Sequence, residues 1–105
     1  MARFDVYRNP SAHPTTTPYV LDVQSNLLDG LDSRMVIPLR RLDHFAAVRL
    51  PSQLTPIFQI EGTDYLLETP KMAAIPLRML KDCIAHLGDE QDRITAALDF
   101  LFQGY

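Results

Sequence analysis

His13, His44, His86 and Cys83 are the side chains best suited to acid–base, nucleophilic or metal chemistry near neutral pH. The three histidines are scattered along the chain, so no pair of them sits at a helical ligand spacing. HExxH, CxxC, GxSxG and a Gly-rich phosphate loop are all absent. Cys83 lies in "LKDCIAHL" and reads as a small apolar packing residue, because a reactive thiolate needs an exposed, electropositive setting. Arg40-Arg41 is the one adjacent basic pair and reads as a solvated strand end rather than a phosphate clamp. Asp29, Asp32 and Asp43 do not have calcium-loop spacing, and Met35, Met72 and Met79 read as core filler. The expectation is a chain with no catalytic residue, no metal and no cofactor.

What the sequence does offer is surface for binding. "NLLDG" sets Leu27 beside Leu28 in a loop that follows a strand, where burying both is difficult. The closing stretch "DFLFQGY" is rich in apolar side chains, with Phe100 off the main helical stripe. Clustered exposed apolar residues mark interaction sites.

The elements that must carry these residues are mostly strands. "RFDVYR" (3–8) alternates Phe4 and Val6 with Asp5 and Tyr7, the period of a half-buried strand. "NPSAHPTTTP" is an irregular excursion. "YVLDVQ" (19–24) and "RMVIPLRRL" (34–42) read as strands, the second with Pro38 at an edge, bulge or bend, and Asp29-Gly30 between them is a turn signal. Residues 43–56 fit neither period. "IFQIEGTDYLLET" (57–69) reads as a β-hairpin, and "MAAIPLRML" (72–80) as a further strand. From Asp89 onward Ile94, Ala97, Leu98, Leu101 and Phe102 trace the apolar stripe of an amphipathic helix over 89–103, with Asp89 as its N-cap and Gly104 ending it in the left-handed conformation. Five or so short strands and one helix predict a mainly β, α+β fold: a small antiparallel barrel or curled sheet closed by that helix.

The chain has 105 residues, 47% of them apolar and 22% charged, which predicts one ordered domain over 1–105. A lone cysteine excludes an intrachain disulfide framework, and every apolar run is too short to span a bilayer, so a cytoplasmic protein without a membrane segment is expected. The net charge is −3, and residues 89–105 carry it all, with four acidic side chains against one basic. That balance disfavours direct nucleic-acid binding and favours a basic partner surface.

The stretch "YVLDVQSNLLDGLDSRMVIPL" (19–39) closely resembles the DVQS–MVIPL block of CcdB-type toxins, the toxin–antitoxin proteins that poison DNA gyrase. The similarity continues in "RFDVYRN", in "MAAIPLRML" and in a helix ending "FLFQGY"; it covers nearly the whole chain and is poor over 40–56. The resemblance implies an SH3-like barrel with a small extra sheet and one C-terminal helix, forming a homodimer. It implies a toxin of the plasmid-maintenance type that binds the gyrase A subunit and traps the cleaved gyrase–DNA complex. It also implies a CcdA-type antitoxin as partner, with operator DNA contacted only together with that antitoxin.

Carried across position by position, the family's gyrase contacts fall on Phe4, Leu27, Leu28, Asp99, Gln103, Gly104 and Tyr105. The familiar pattern has Asn, Trp, Gly and Ile at the last four, so Asp99, Gln103 and Tyr105 depart from it. Gln103 cannot supply the cation–π contact of the tryptophan, worth roughly 0.5–2 kcal/mol. Either Tyr105 supplies the ring and Asp99 the charge, or the gyrase contact is weakened. Two rivals are a ribonuclease toxin on the same barrel, built on His44, Arg40 and Arg41, and a non-toxic relative that only binds antitoxin.

Overall fold

The computed structural model of the chain describes residues 2–10, 16–28, 30–44 and 51–104. Among the described residues seven antiparallel strands form one curled sheet: β1 (Asp5–Arg8), β2 (Tyr19–Asp22), β3 (Ser33–Arg41), β4 (Ile57–Ile60), β5 (Thr63–Leu67), β6 (Ala73–Pro76) and β7 (Cys83–His86). One helix, α1 (Gln91–Gln103), follows. The main path runs β4-β5-β3-β2-β1-β7, and β6 pairs with β3 off that path. The mainly β, small-barrel expectation is met, including the extra sheet and the helix.

The nine-residue β3 is the spine, and it forks. Its Ser33–Val36 stretch pairs with β6 and its Leu39–Arg41 stretch with β5, while β2 runs along the opposite edge. Pro38 sits at the fork and accepts a hydrogen bond from the Glu68 amide. In extended backbone a residue's N–H and C=O point the same way, so the donor that proline lacks would have faced the gap where one partner strand gives way to the next. A proline in the middle of an apolar run therefore marks where the small sheet leaves the main one.

Alternation along β1, β2 and β3 sends side chains to two clusters. Phe4, Val6, Leu21, Val23, Ile37 and Leu39 point inward, with Phe58, Ile60, Tyr65, Leu67, Leu87 and Ile94 completing the main core. Tyr7, Val20, Val36 and Leu80 form a second cluster on the other face. Tyr7, expected on the wetter side of its strand, is thus buried beneath the segment that leads into β7. The β4–β5 turn is the two-residue type that a right-twisted hairpin prefers, with positive φ at both Glu61 and Gly62.

Several boundaries differ from expectation. β7 was not foreseen, because "CIAH" is too short to show alternation; it pairs with β1 across an irregularity between Val6 and Tyr7. The strand expected over 72–80 ends at Pro76, after which Leu77–Met79 forms a 3-10 turn tied back by the Leu77 amide to the Asp32 carbonyl. Asp89 lies in a 3-10 turn, Gly88–Glu90, and α1 starts at Gln91 with no side-chain cap. Phe102, expected on the packed face of α1, is instead 72% exposed. It lies roughly 80° around the helix from Ile94, at the margin of the stripe. Gly104 ends the helix in the left-handed conformation as expected, its amide bonded to the Phe100 carbonyl. His13 and residues 45–50 lie outside the described residues, as do Asp29 of the Asp29-Gly30 turn signal and the His44 side chain.

Candidate binding surface

The DVQS motif is a scaffold before it is a surface. Asp22 closes β2 and Arg34 stands near the start of β3, and the two side chains are fully buried. Arg34 grips the carboxylate bidentately, Nε to Oδ2 at 2.8 Å and Nη2 to Oδ1 at 3.0 Å. The Asp22 Oδ1 also accepts from the Gln24 amide at 3.0 Å, and Arg34 Nη2 donates to the Gln24 carbonyl at 3.2 Å. Gln24 then spans the loop that follows: Nε2 donates to the carbonyls of Leu28 and Ser33, and Oε1 accepts from the Met35 amide.

On this frame Asn26–Leu28 forms a single 3-10 turn with no buried residue. Leu27 is 94% exposed and Leu28 48%. The N-terminal strand reaches the same loop: the Arg3 amide donates to Asn26 Oδ1 at 2.8 Å, and the Arg3 side chain donates to the Val23 carbonyl at 3.1 Å.

Phe4 has a different place. It is 5% exposed, belongs to the main core and has a positive φ of 74°. That backbone region disfavours bulky residues by about 1–2 kcal/mol. Hydrogen bonds on both sides hold it, its amide to the Asp22 carbonyl and its carbonyl from the Leu87 amide. Arg3 lies over the ring with its guanidinium carbon 4.6 Å from the centroid. Phe4 therefore anchors the loop's surroundings and offers little ring to a partner.

A shallow cleft joins Arg3, Phe4, Asn26, Leu27, His86 and Gln91. It places the leucine loop beside the first residue of α1. Asp99, Gln103 and Gly104 are exposed at the other end of that 13-residue helix, roughly 20 Å away. The expected contact residues thus form two patches on one chain, and Tyr105 lies outside the described residues.

The catalytic alternatives gain little. His86 bonds through Nδ1 to Asp5 Oδ1 at 2.7 Å, and Tyr7 donates to Asp5 Oδ2. Burial raises the Asp5 carboxyl pKa, but the hydrogen bonds from His86, the Ala2 amide and Tyr7 outweigh it, so the net shift is downward. Burial, then the Asp5 charge, push the Tyr7 phenol well above its ordinary range; partial desolvation and the Asp5 charge push the Cys83 thiol up, although Cys83, expected from sequence to be a packing residue, is exposed. A raised thiol pKa leaves less thiolate to act as a nucleophile. Arg41 is held by Asp43 at 2.9 Å, and Arg40 stands 4.0 Å from the Glu68 carboxylate, so neither guanidinium is poised for a phosphate. Among the described residues no group of three His, Cys, Asp or Glu side chains could hold a metal, and no helix is long and apolar enough to cross a membrane.

The family described as CcdB protein matches residues 3–104 of the 105. This chain belongs to the CcdB family. The match takes in every described strand and all of α1, and it spans the stretch over 40–56 where the motif resemblance is poor. CcdB proteins are toxins of toxin–antitoxin pairs, so an antitoxin is a partner of the class. In this CcdB-family chain Asp22 and Val23 of the DVQS motif are buried, Gln24 and Ser25 are half-buried, and the leucines that follow them face solvent.

Proposed function

We propose that this chain is a cytoplasmic, non-enzymatic toxin that acts as a homodimer, binds the gyrase A subunit and traps the cleaved gyrase–DNA complex until a cognate antitoxin removes it. The observation that carries the reading is the dileucine turn, exposed to solvent and tied to a buried ion pair inside a CcdB-family fold. Such a turn presents apolar surface to another macromolecule and performs no chemistry of its own. Poisoning of this kind is a population shift: the toxin stabilises one conformation of its target by binding it better than the others. Asp99, Gln103, Gly104 and Tyr105 form the second contact, with the acid and the amide where the family pattern has Asn and Trp. A dimer carries two copies of each patch and so compensates for their separation on one chain.

The test is accumulation of cleaved DNA in the presence of purified gyrase and supercoiled plasmid. Cleaved product that rises with toxin and falls when antitoxin is added is the expected result. No accumulation at protein concentrations well above micromolar overturns the proposal, and degradation of a labelled RNA without gyrase would replace it with the ribonuclease reading.

A further inference from the structure

The leucine turn has almost nothing of its own to hold it. None of its residues is buried, and its local bonds are the Leu28 amide to the Ser25 carbonyl, the Leu27 amide to Ser25 Oγ and the Leu31 amide to the Leu28 carbonyl, with Asn26 Oδ1 accepting from the Arg3 amide. An exposed turn of three residues held by so few bonds would ordinarily sample many poses. Yet a single side chain, Gln24, bonds the middle of the loop at Leu28 (3.3 Å), its far end at Ser33 (3.2 Å) and the next strand at Met35 (3.0 Å). Its own backbone is clamped on both sides, by Asp22 at the amide and by Arg34 at the carbonyl.

From this geometry we infer that Gln24 is a positioning residue: its side-chain amide braces the Asn26–Leu28 turn against the start of β3 so that Leu27 and Leu28 are held ready for a macromolecular partner. The inference rests on the gyrase reading above for the partner's identity, and on the hydrogen bonds alone for the brace. Only an amide meets the need. One end must donate to two carbonyls and the other must accept from an amide, which neither a carboxylate nor an aliphatic chain of the same length can do. Ordering a rotamer-rich side chain on binding opposes affinity, so two leucines fixed in advance bind about tenfold or more tightly than the same pair on a loose loop.

Gln24→Met and Gln24→Glu separate the brace from the fold. Both remove the donors to Leu28 and Ser33; the glutamate keeps an acceptor for Met35. Each variant of the full chain is expected to keep its melting temperature within a few degrees, to bind purified gyrase about tenfold more weakly, and to exchange the Leu28 and Leu31 amides faster while β3 amides stay protected. In a Leu27→Ala/Leu28→Ala background the same Gln24 substitutions should bring no further loss of binding. Unchanged loop protection overturns the brace, as does an equal binding loss with and without the leucines, or a loss that only tracks the unfolded fraction. If the Leu27→Ala/Leu28→Ala chain itself binds gyrase as wild type does, the gyrase reading of the loop fails while faster loop exchange would still uphold the brace. Should the methionine variant not fold, the glutamate variant decides.

Discussion

Removing the Arg34 guanidinium would strand the Asp22 carboxylate in a fully buried site, with only the Gln24 amide as donor. A buried charge that loses its partner costs about 3–5 kcal/mol, far more than the pair contributes relative to neutral side chains of the same shape. Arg34→Met is therefore expected to lower unfolding free energy by that amount in a denaturant titration. Adding Asp22→Asn should recover a large share, because the neutral amide can still accept from Gln24 and carries no unpaired charge. A single variant that loses less than about 1 kcal/mol would show that water reaches the pair and that its burial has been overstated. The pair was invisible in the sequence for a physical reason. Asp22 and Arg34 each border an apolar run, where a charge reads as the solvated end of a strand, and only the β2–β3 pairing, which sets Asp22 beside Val36, brings the two together.

Elements were more legible than contacts. The hairpin over 57–69 showed itself through two apolar runs around Glu61-Gly62, and the structure places positive φ at just those two residues. Gly62 has a φ of 82°, and a Cβ there would meet nothing within 4 Å, so its substitution probes backbone conformation alone. Gly62→Ala is expected to cost about 1 kcal/mol, seen as a fall in melting temperature of roughly 4–8 °C for a chain of this size. An unchanged melting temperature would mean that the turn relaxes without strain. The helix was legible too, since a stripe of Ile94, Ala97, Leu98 and Leu101 has only one period. Its edges were not: eight residues on from Ile94, Phe102 keeps the sequence pattern but has rotated to the margin of the contact, and pattern alone does not say how wide the covered face is. β7 stayed hidden because four residues between the charged pair Lys81-Asp82 and a 3-10 turn hold too little alternation to read, and its pairing with β1 is a long-range fact.

At the scale of the whole molecule, the acidic side chains of residues 89–105 are shared between the two candidate patches. Asp89, Glu90 and Asp92 stand at the start of α1, by the cleft that holds the leucine turn, and Asp99 stands with Gln103 and Gly104 toward its end. The helix is held to the core by Ile94 and Ala97, both fully buried and well upstream of its end. Removing Gln103, Gly104 and Tyr105 takes away two exposed residues, one beyond the described residues, the bond from the Gly104 amide to the Phe100 carbonyl, and the helical bond of the last residue of α1. That is a loss of about 1–2 kcal/mol at a helix end that frays readily. The truncated toxin is therefore expected to fold, to keep its leucine turn and to bind antitoxin nearly as well as the intact chain, yet to lose killing when expressed in cells without antitoxin. Growth after induction, read beside antitoxin binding to the purified truncation, checks both halves. A truncated chain that still kills would place the toxic contact on the leucine turn alone. One that neither folds nor binds antitoxin would show that the last three residues belong to the packing of the fold and not to a target-facing surface.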